Sequence, residues 1–166
     1  MISTPKSDTY TRQRLVVLVI LRVAIGWHLM YEGLSKLFQP NWTSMAYLLD
    51  SKGLLAWVFH SIAMNPTLLR ITDMINAWGL TIIGFMLILG LRTKLAKLGA
   101  MAFLLLFYLA QPPLLDVQYM LPSEGSYLWV NKNLIELLAL LVLYFFPTGH
   151  IVGVDRLLGK RIYNQR

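Results

Sequence analysis

Polar and ionisable side chains lie inside long apolar segments of this chain, where they could form a binding site. Seven of them are candidate ligand-binding residues: Arg22, Glu32, Lys36, Asp73, Asn76, Asn133 and Glu136. By insertion scales a charge at a bilayer centre costs roughly 2.5–3.5 kcal/mol, so such residues persist mainly where they pair, face a bundle interior or serve a function. Carboxylates could accept protons there, while Lys36 or Asn76 could donate hydrogen bonds to a carbonyl ligand.

The surrounding composition is that of a membrane protein, with 57% hydrophobic residues, 14% charged residues and a mean hydropathy of +0.57. A helix of about 20 residues crosses the hydrocarbon layer. Four segments approach that length, and they run approximately over residues 15–38, 68–91, 95–111 and 129–146. The sequence therefore predicts an all-α protein with one domain over residues 1–166, an integral membrane bundle of four transmembrane helices. The first segment is too long for a signal peptide, so we expect a retained helix.

Lys and Arg residues outside these segments predict the orientation. They precede the first segment, occupy the turn between the second and third, and follow the fourth, which places ten of the fifteen on one side. Because cytoplasmic loops carry the excess of such residues, we expect the N terminus and the tail 147–166 to lie in the cytoplasm. We expect the membrane to be the inner membrane of a bacterium. This distribution also explains the net charge of +7, and its division among three short segments argues against nucleic-acid binding.

The two outer connections, residues 39–67 and 112–128, differ in character. The first is aromatic and has apolar residues at helical spacing, which predicts amphipathic helices at the membrane interface. Its Trp42, Tyr47 and Trp57 are candidates for binding a protein partner outside the cytoplasm. The second contains several prolines, including Pro122, and is predicted to be a lid or a cap rather than a continuous helix.

The predicted topology brings most of the candidate residues to one level. The first helix runs outward and the second and fourth run inward, so six of the seven should lie near the outer surface, and Arg22 should lie near the inner one. We therefore predict a polar pocket between the helices, walled by Trp78 or Trp129. A structural alternative remains open, in which the acidic and basic residues form an ion network that fixes the helix register. Arg22 could equally extend its charged end toward the membrane surface.

Several kinds of chemistry are excluded or disfavoured. The chain has no cysteine, and its three histidines are too far apart along the predicted helices to bracket one haem. It also lacks a phosphate-binding glycine loop, a zinc motif and a serine elbow. We therefore expect no cofactor held covalently or by metal ligation, and no self-sufficient enzyme. A noncovalently bound quinone or lipid is compatible with the predicted pocket.

Two short motifs resemble those of the DoxX family. Residues 21–26 (LRVAIG) with residues 31–37 (YEGLSKL) resemble the first helix of that family, and residues 87–96 (LILGLRTKLA) resemble its turn between helices two and three. Asn133 and Glu136 resemble polar positions of its fourth helix. The resemblance implies a small four-helix membrane protein, associated in some members with quinone-linked oxidation of reduced sulfur or with redox complexes that include other subunits.

Three functions are consistent with these features. The chain could be the small membrane subunit of a larger complex. It would then bind a ligand such as a quinone, while a partner subunit carries the electron cofactor. Alternatively it could be a non-redox scaffold or accessory protein that binds an extracytoplasmic partner through its aromatic first connection. A small-solute transporter is the third alternative, and it would need the pocket to connect inward past Arg22.

Overall fold

The computed structural model describes residues 10–114, 117–120 and 128–157, and these residues form helices and connections without a strand. The helices are α1 (Arg12–Phe38), α2 (Met45–Leu49), α3 (Ala56–Met64), α4 (Pro66–Leu89), α5 (Thr93–Ala110) and α6 (Lys132–Phe145). Pro122, most of the second outer connection and the end of the predicted tail lie outside the described residues. The prediction of a lid or cap therefore stays a prediction.

The four predicted apolar segments correspond to α1, α4, α5 and α6, which we call the long helices, although among the described residues only the first three are long and apolar enough to cross a membrane. Helices α1, α4 and α5 have 27, 24 and 18 residues and are long and apolar enough to cross a membrane. Helix α6 has only 14 residues, about 21 Å, and is shorter than the predicted segment 129–146. It starts late because Leu128 and Trp129 have positive φ angles of 47° and 70°. The Asn131 side chain then caps the helix by accepting a hydrogen bond from the Leu134 amide at 3.1 Å.

Helix α4 has well-defined signals at both ends. Asn65 caps its start by accepting hydrogen bonds from the amides of Thr67 and Leu68, and Pro66 occupies the first turn, where its missing N–H is not needed. Gly90 ends the helix with a left-handed φ of 69°, which glycine adopts without strain. The chain therefore turns within three residues into α5.

Helices α1 and α4 approach each other closely because glycines line their contact. A Cβ atom built on Gly33 would lie 2.5 Å from the Thr81 amide nitrogen and 2.8 Å from the Ala77 carbonyl oxygen. A Cβ on Gly84 would lie 2.5 Å from the Gly26 carbonyl oxygen. Small residues thus allow the two backbones to meet.

The long helices surround one apolar core. Helix α1 packs on α4, α4 on α5 and α5 on α6, whereas α6 makes fewer contacts with α1. The core contains leucines from every long helix: Leu29, Leu80, Leu87, Leu104, Leu140 and Leu143. Large apolar side chains such as Trp27, Phe85 and Leu105 point outward and are about half exposed. An apolar exterior of this extent suits a lipid bilayer as the surrounding solvent.

Helices α2 and α3 confirm that the first outer connection contains short helices. They share a second apolar cluster, in which Leu48 of α2 and Phe59 and Ala63 of α3 pack against Ala110 at the end of α5. The backbone amide of Lys52 donates a hydrogen bond to the Ala110 carbonyl at 3.0 Å. The two helices therefore close one end of the core, the end at which α1 and α5 finish and α4 and α6 begin.

Candidate functional site

A cavity of about 560 Å³ lies at this closed end of the core. The C-terminal turns of α1 and α5, the first half of α4 and the start of α6 form it, and α2 with its preceding loop covers it. Polar residues of α1, α4 and α6, together with the residue directly after α5, line it: His28, Glu32, Lys36, Asn76, Gln111, Lys132 and Asn133. Aromatic residues complete the wall: Trp42, Tyr47, Phe107 and Tyr119.

Lys36 is the central cation of the cavity. Its Nζ atom lies 3.5 Å from Glu32 Oε2, and its side chain is only 15% exposed, whereas that of Glu32 is 45% exposed. The same Nζ lies 5.6 Å from the Trp42 ring centroid and 5.7 Å from that of Phe107. These distances are typical of cation–π contacts. The cavity thus presents an ammonium donor between two aromatic rings.

Two amide groups in the cavity have buried atoms without a hydrogen-bond partner in the part of the chain that the structure describes. Asn76 Oδ1 and Gln111 Nε2 both have this property, and both residues line the cavity. Leaving a buried polar atom unpaired costs about 1–3 kcal/mol. A polar ligand, or water, that fills the cavity would recover this free energy.

His28 connects the cavity to α6. Its Nδ1 atom lies 2.9 Å from Glu136 Oε1, and its Nε2 atom lies 3.4 Å from Lys132 Nζ. The ammonium can only donate, so Nε2 accepts, and Nδ1 carries the hydrogen that is donated to Glu136. Glu136 is 9% exposed, and its second carboxylate oxygen, Oε2, has no partner among the described residues. The site therefore includes a polar chain that runs from Lys132 through His28 to Glu136.

A second cavity of about 540 Å³ lies on the other side of this row of polar side chains, and we call it the lateral groove. It separates α1 from α6 and is lined mainly by apolar residues: Leu21, Ala24, Ile25, Ile135 and Ala139. Its polar end is formed by His28, Asn131, Lys132 and Glu136. Three of these four, all except Glu136, also line the first cavity.

Glu32, Lys36, Asn76 and Asn133 are the predicted site residues that the structure brings together. Asp73 does not line the cavity, because its Oδ1 accepts hydrogen bonds from the backbone amide and the hydroxyl of Ser44, which begins α2. The position of Asp73 therefore fixes the covering helix.

Arg22 lies at the opposite end of the core. Its Nη1 donates to Thr148 Oγ1 at 2.9 Å, and its Nη2 donates to the Val152 carbonyl at 2.8 Å. These bonds tie α1 to the segment that follows α6. Arg22 and the predicted pocket residues thus belong to different ends of the molecule, as the predicted topology indicates.

The predicted partner-binding residues Trp42, Tyr47 and Trp57 do not share one surface. Trp42 and Tyr47 line the cavity, whereas Trp57 is 69% exposed on α3. Trp78 and Trp129, the predicted wall, are not among the lining residues. Trp42 and Tyr47 take that role because the loop before α2 folds inward over the cavity.

Tyr47 contributes a hydroxyl group whose proton is firmly held. Its hydroxyl donates to the Phe107 carbonyl at 3.2 Å, and the two rings meet edge to face with centroids 6.2 Å apart. Burial raises the pKa of Tyr47 well above its ordinary value, and the nearby Tyr119 adds to this shift. Burial also raises the pKa of Tyr119, with a further contribution from Asp50. Both phenols therefore remain neutral at physiological pH.

Asp155 organises the opposite end of the core. Its carboxylate accepts hydrogen bonds from the Arg92 amide at 2.6 Å, the Thr93 amide at 3.0 Å and the Thr93 hydroxyl at 2.9 Å. Burial alone would raise the pKa of Asp155, but these hydrogen bonds and the charge of Arg22 outweigh it and lower that pKa below its ordinary value. Arg92 has left-handed backbone angles and gives α5 no side-chain cap, so Asp155 supplies one.

Sequence reasoning did not select His28 or Gln111 as site residues. His28 lies four residues before Glu32 and eight before Lys36, so all three recur at helical spacing on α1. That spacing is the signal that could have identified it. Gln111 directly follows α5, and the position of that helix end, level with the other polar groups, is the signal that could have identified it.

Comparison with protein families settles the classification. A family model described as DoxX matches residues 17–111, which is more than half of the chain. The chain belongs to the DoxX family. The matched region of this DoxX protein runs from α1 to the residue after α5, so α6 with Asn133 and Glu136 lies beyond it. Neither the curated proteins nor the solved structures gave a match to the chain.

Proposed function

We propose that this DoxX protein is a small membrane subunit that binds a quinone headgroup in the cavity. The observation that carries the proposal is the amide nitrogen of Gln111, Nε2, a buried donor that has no hydrogen-bond partner among the described residues and lines the same cavity as the ammonium of Lys36. A quinone ring has two carbonyl oxygens that need donors and two flat faces that pack on aromatic rings. The cavity offers both kinds of contact.

The size and lining of the cavity agree with this ligand. Its volume of about 560 Å³ lies within the range of about 300–1,000 Å³ that is usual for small-molecule sites. Lys36 Nζ and Gln111 Nε2 would donate to the carbonyl oxygens, and Trp42 or Phe107 would cover the ring. Glu32 would engage one hydrogen of the Lys36 amine group and leave the others to bind the ligand.

A quinone would supply two-electron chemistry when bound, and this chain has no cysteine with which to hold an iron–sulfur cluster. We therefore infer that an electron-carrying partner subunit completes the site in a larger membrane complex. The chain's own contribution would be to bind and orient the ring. His28 and Glu136 would hold or move a proton beside it.

The proposed membrane arrangement follows from the same geometry. All four long helices would cross the inner membrane of a bacterium, with the Arg22 end in the cytoplasm and the cavity toward the outer surface. Arg12, Arg14 and Lys94 lie at the Arg22 end, in keeping with the excess of basic residues on cytoplasmic sides. Helices α2 and α3 would lie in the outer interface, where exposed Trp57 could anchor them.

The described core gives less support to a transporter. Fully buried leucines fill the interior between the cavity and the Arg22 end, and Arg22 is itself bonded to Thr148 and Val152. A scaffold function would rest on Trp57 and the neighbouring apolar side chains of α3, since Trp42 and Tyr47 face the cavity.

Thermal unfolding of the purified protein in detergent micelles tests the proposal. The probe is 2,3-dimethoxy-5-methyl-1,4-benzoquinone, a headgroup without a tail, which has no cysteine here to alkylate. At a probe concentration a hundred times the dissociation constant, stability should rise by about 2.7 kcal/mol.

Lys36→Met keeps most of the apolar stem and removes the donor, so probe affinity should fall about tenfold or more, since a hydrogen bond from a charged group contributes about 1.5–3 kcal/mol. Lys94→Met, an exposed lysine at the start of α5, is the matched control and should leave affinity unchanged. Equal effects of the two substitutions, or no stabilisation of the unaltered protein, would refute the proposal.

A further inference from the structure

The lateral groove is an apolar space that leads to the polar wall of the cavity. Leu21, Ala24 and Ile25 of α1 face Ile135 and Ala139 of α6 across it, and the groove is open on its outer side. Helices α1 and α6 make far fewer contacts than α1 and α4. The small alanine side chains on both helices leave the space unfilled. In a bilayer this opening would face the acyl chains of the lipids.

The groove and the cavity are neighbours that share residues. His28, Asn131 and Lys132 line both spaces. A molecule with its polar head in the cavity would therefore have its nearest apolar exit along the groove. The combination of a polar chamber and an apolar side channel matches a ligand that has both a polar head and an apolar chain.

Glu136 marks the junction with an unsatisfied acceptor. It is 9% exposed, its Oε1 is engaged by His28, and its Oε2 has no partner among the described residues. A buried carboxylate oxygen is stabilised by a hydrogen-bond donor. In the reduced, quinol form of the ring, the hydroxyl group adjacent to the attached chain would supply this donor.

We propose that the ligand of the cavity is a membrane amphiphile, a ring bearing hydroxyl or carbonyl groups whose apolar chain lies in the lateral groove between α1 and α6. This inference rests on the proposed function and adds the class of ligand and its route. The ligand would enter sideways from the bilayer, chain and head together, past His28 and Lys132. The aqueous face above α2 would not be the entrance.

Two probes separate the head from the chain. One is the tail-less benzoquinone, and the other carries a decyl chain on the same ring. Both are titrated against the full chain in phosphatidylcholine nanodiscs, with binding followed by tryptophan fluorescence, because Trp42 lines the cavity. Partitioning into lipid raises the apparent affinity of the decyl probe for every variant alike. The ratio between variants is therefore the quantity that is compared.

Ala24→Phe is the test variant and Ala102→Phe is its control. Both alanines are exposed within long helices, but Ala24 lines the groove, whereas Ala102 of α5 lines neither space. We expect Ala24→Phe to weaken the decyl probe at least tenfold and the tail-less probe less than twofold, with Ala102→Phe affecting neither. Ala139→Phe, on the opposite wall, should reproduce the result if Ala24→Phe does not fold.

Other outcomes overturn the inference in distinguishable ways. Unchanged decyl affinity in both groove variants would mean that the groove holds an ordinary lipid chain or nothing specific, while the proposed headgroup site survives. Equal loss for both probes would mean that the substitutions distort the cavity, and it would also count against a chain in the groove. Failure of the unaltered protein to bind the tail-less probe would instead refute the proposed function itself.

Discussion

Replacing Gly33 by alanine should separate α1 from α4 and thereby test how the site is held together. The added Cβ would lie 2.5 Å from the Thr81 amide nitrogen and 2.8 Å from the Ala77 carbonyl oxygen, and it would also meet the Thr81 hydroxyl. Comfortable contacts of carbon with heavy atoms begin at about 3.5 Å. Because two of the three obstacles are backbone atoms, side-chain rotation cannot relieve them, and the helices must move apart by about 1 Å.

The expected loss can be estimated from two opposing effects. Overpacking of this kind costs about 1–3 kcal/mol and occasionally more, whereas alanine is favoured over glycine in a helix by about 1 kcal/mol. Rigid backbone obstacles put Gly33→Ala at the upper end, so we expect a net loss of about 2 kcal/mol. Probe affinity should fall as well, since Lys36 lies one turn beyond Gly33 and Asn76 directly precedes Ala77.

Gly99→Ala provides the matched control. A Cβ there would lie 2.8 Å from Ile83 Cδ1, the mobile end of a side chain, so a small rotation removes the clash. This substitution should be neutral or stabilising by up to about 1 kcal/mol. Thermal unfolding in micelles and titration with the tail-less benzoquinone measure both variants. If Gly33→Ala were as stable as Gly99→Ala and bound the probe normally, the close contact of α1 and α4 would not position the site.

Three further substitutions probe other parts of the fold. Asn131→Ala removes the cap of α6 and should cost about 1 kcal/mol in thermal unfolding. Arg22→Met removes two hydrogen bonds at the opposite end of the core and should lower the free energy of unfolding by about 2 kcal/mol. Probe affinity should not change. A change in probe affinity would instead place Arg22 in the ligand site. The lowered pKa of Asp155 means that its stabilisation is present above the ordinary aspartate range near 4 and disappears as pH falls through the folded pKa. Asp155→Asn should therefore lower stability at pH 7 and reduce the loss on acidification, and an unaltered pH profile would contradict this.

The helices could be predicted because hydropathy and length act over many residues. Each predicted segment contains a helix, three of these helices are long and apolar enough to cross a membrane, and α4 begins and ends within two residues of the predicted bounds. The start of α6 could not be predicted in this way. It depends on left-handed backbone angles at Leu128 and Trp129, which such residues seldom adopt and which no local pattern indicates.

The candidate site was predictable where helix direction alone fixes depth. Glu32, Lys36, Asn76 and Asn133 line one cavity because the antiparallel helices bring these positions to the same level. Asp73 is at a similar depth, yet the path of the loop before α2 decides that it binds Ser44 instead. Loop paths depend on tertiary contacts, which helical periodicity does not encode.

The cap that Asp155 gives to α5 has a consequence for the order of synthesis. The capped amide of Thr93 and the carboxylate of Asp155 are 62 residues apart along the chain. At about 5–20 residues per second, a ribosome needs roughly 3–12 s to make that interval. During this time α4 and α5 can enter the membrane as a hairpin, but the start of α5 lacks the cap that Asp155 supplies in the folded protein. Emergence of residue 155 then supplies this cap and joins the segment that follows α6 to the start of α5.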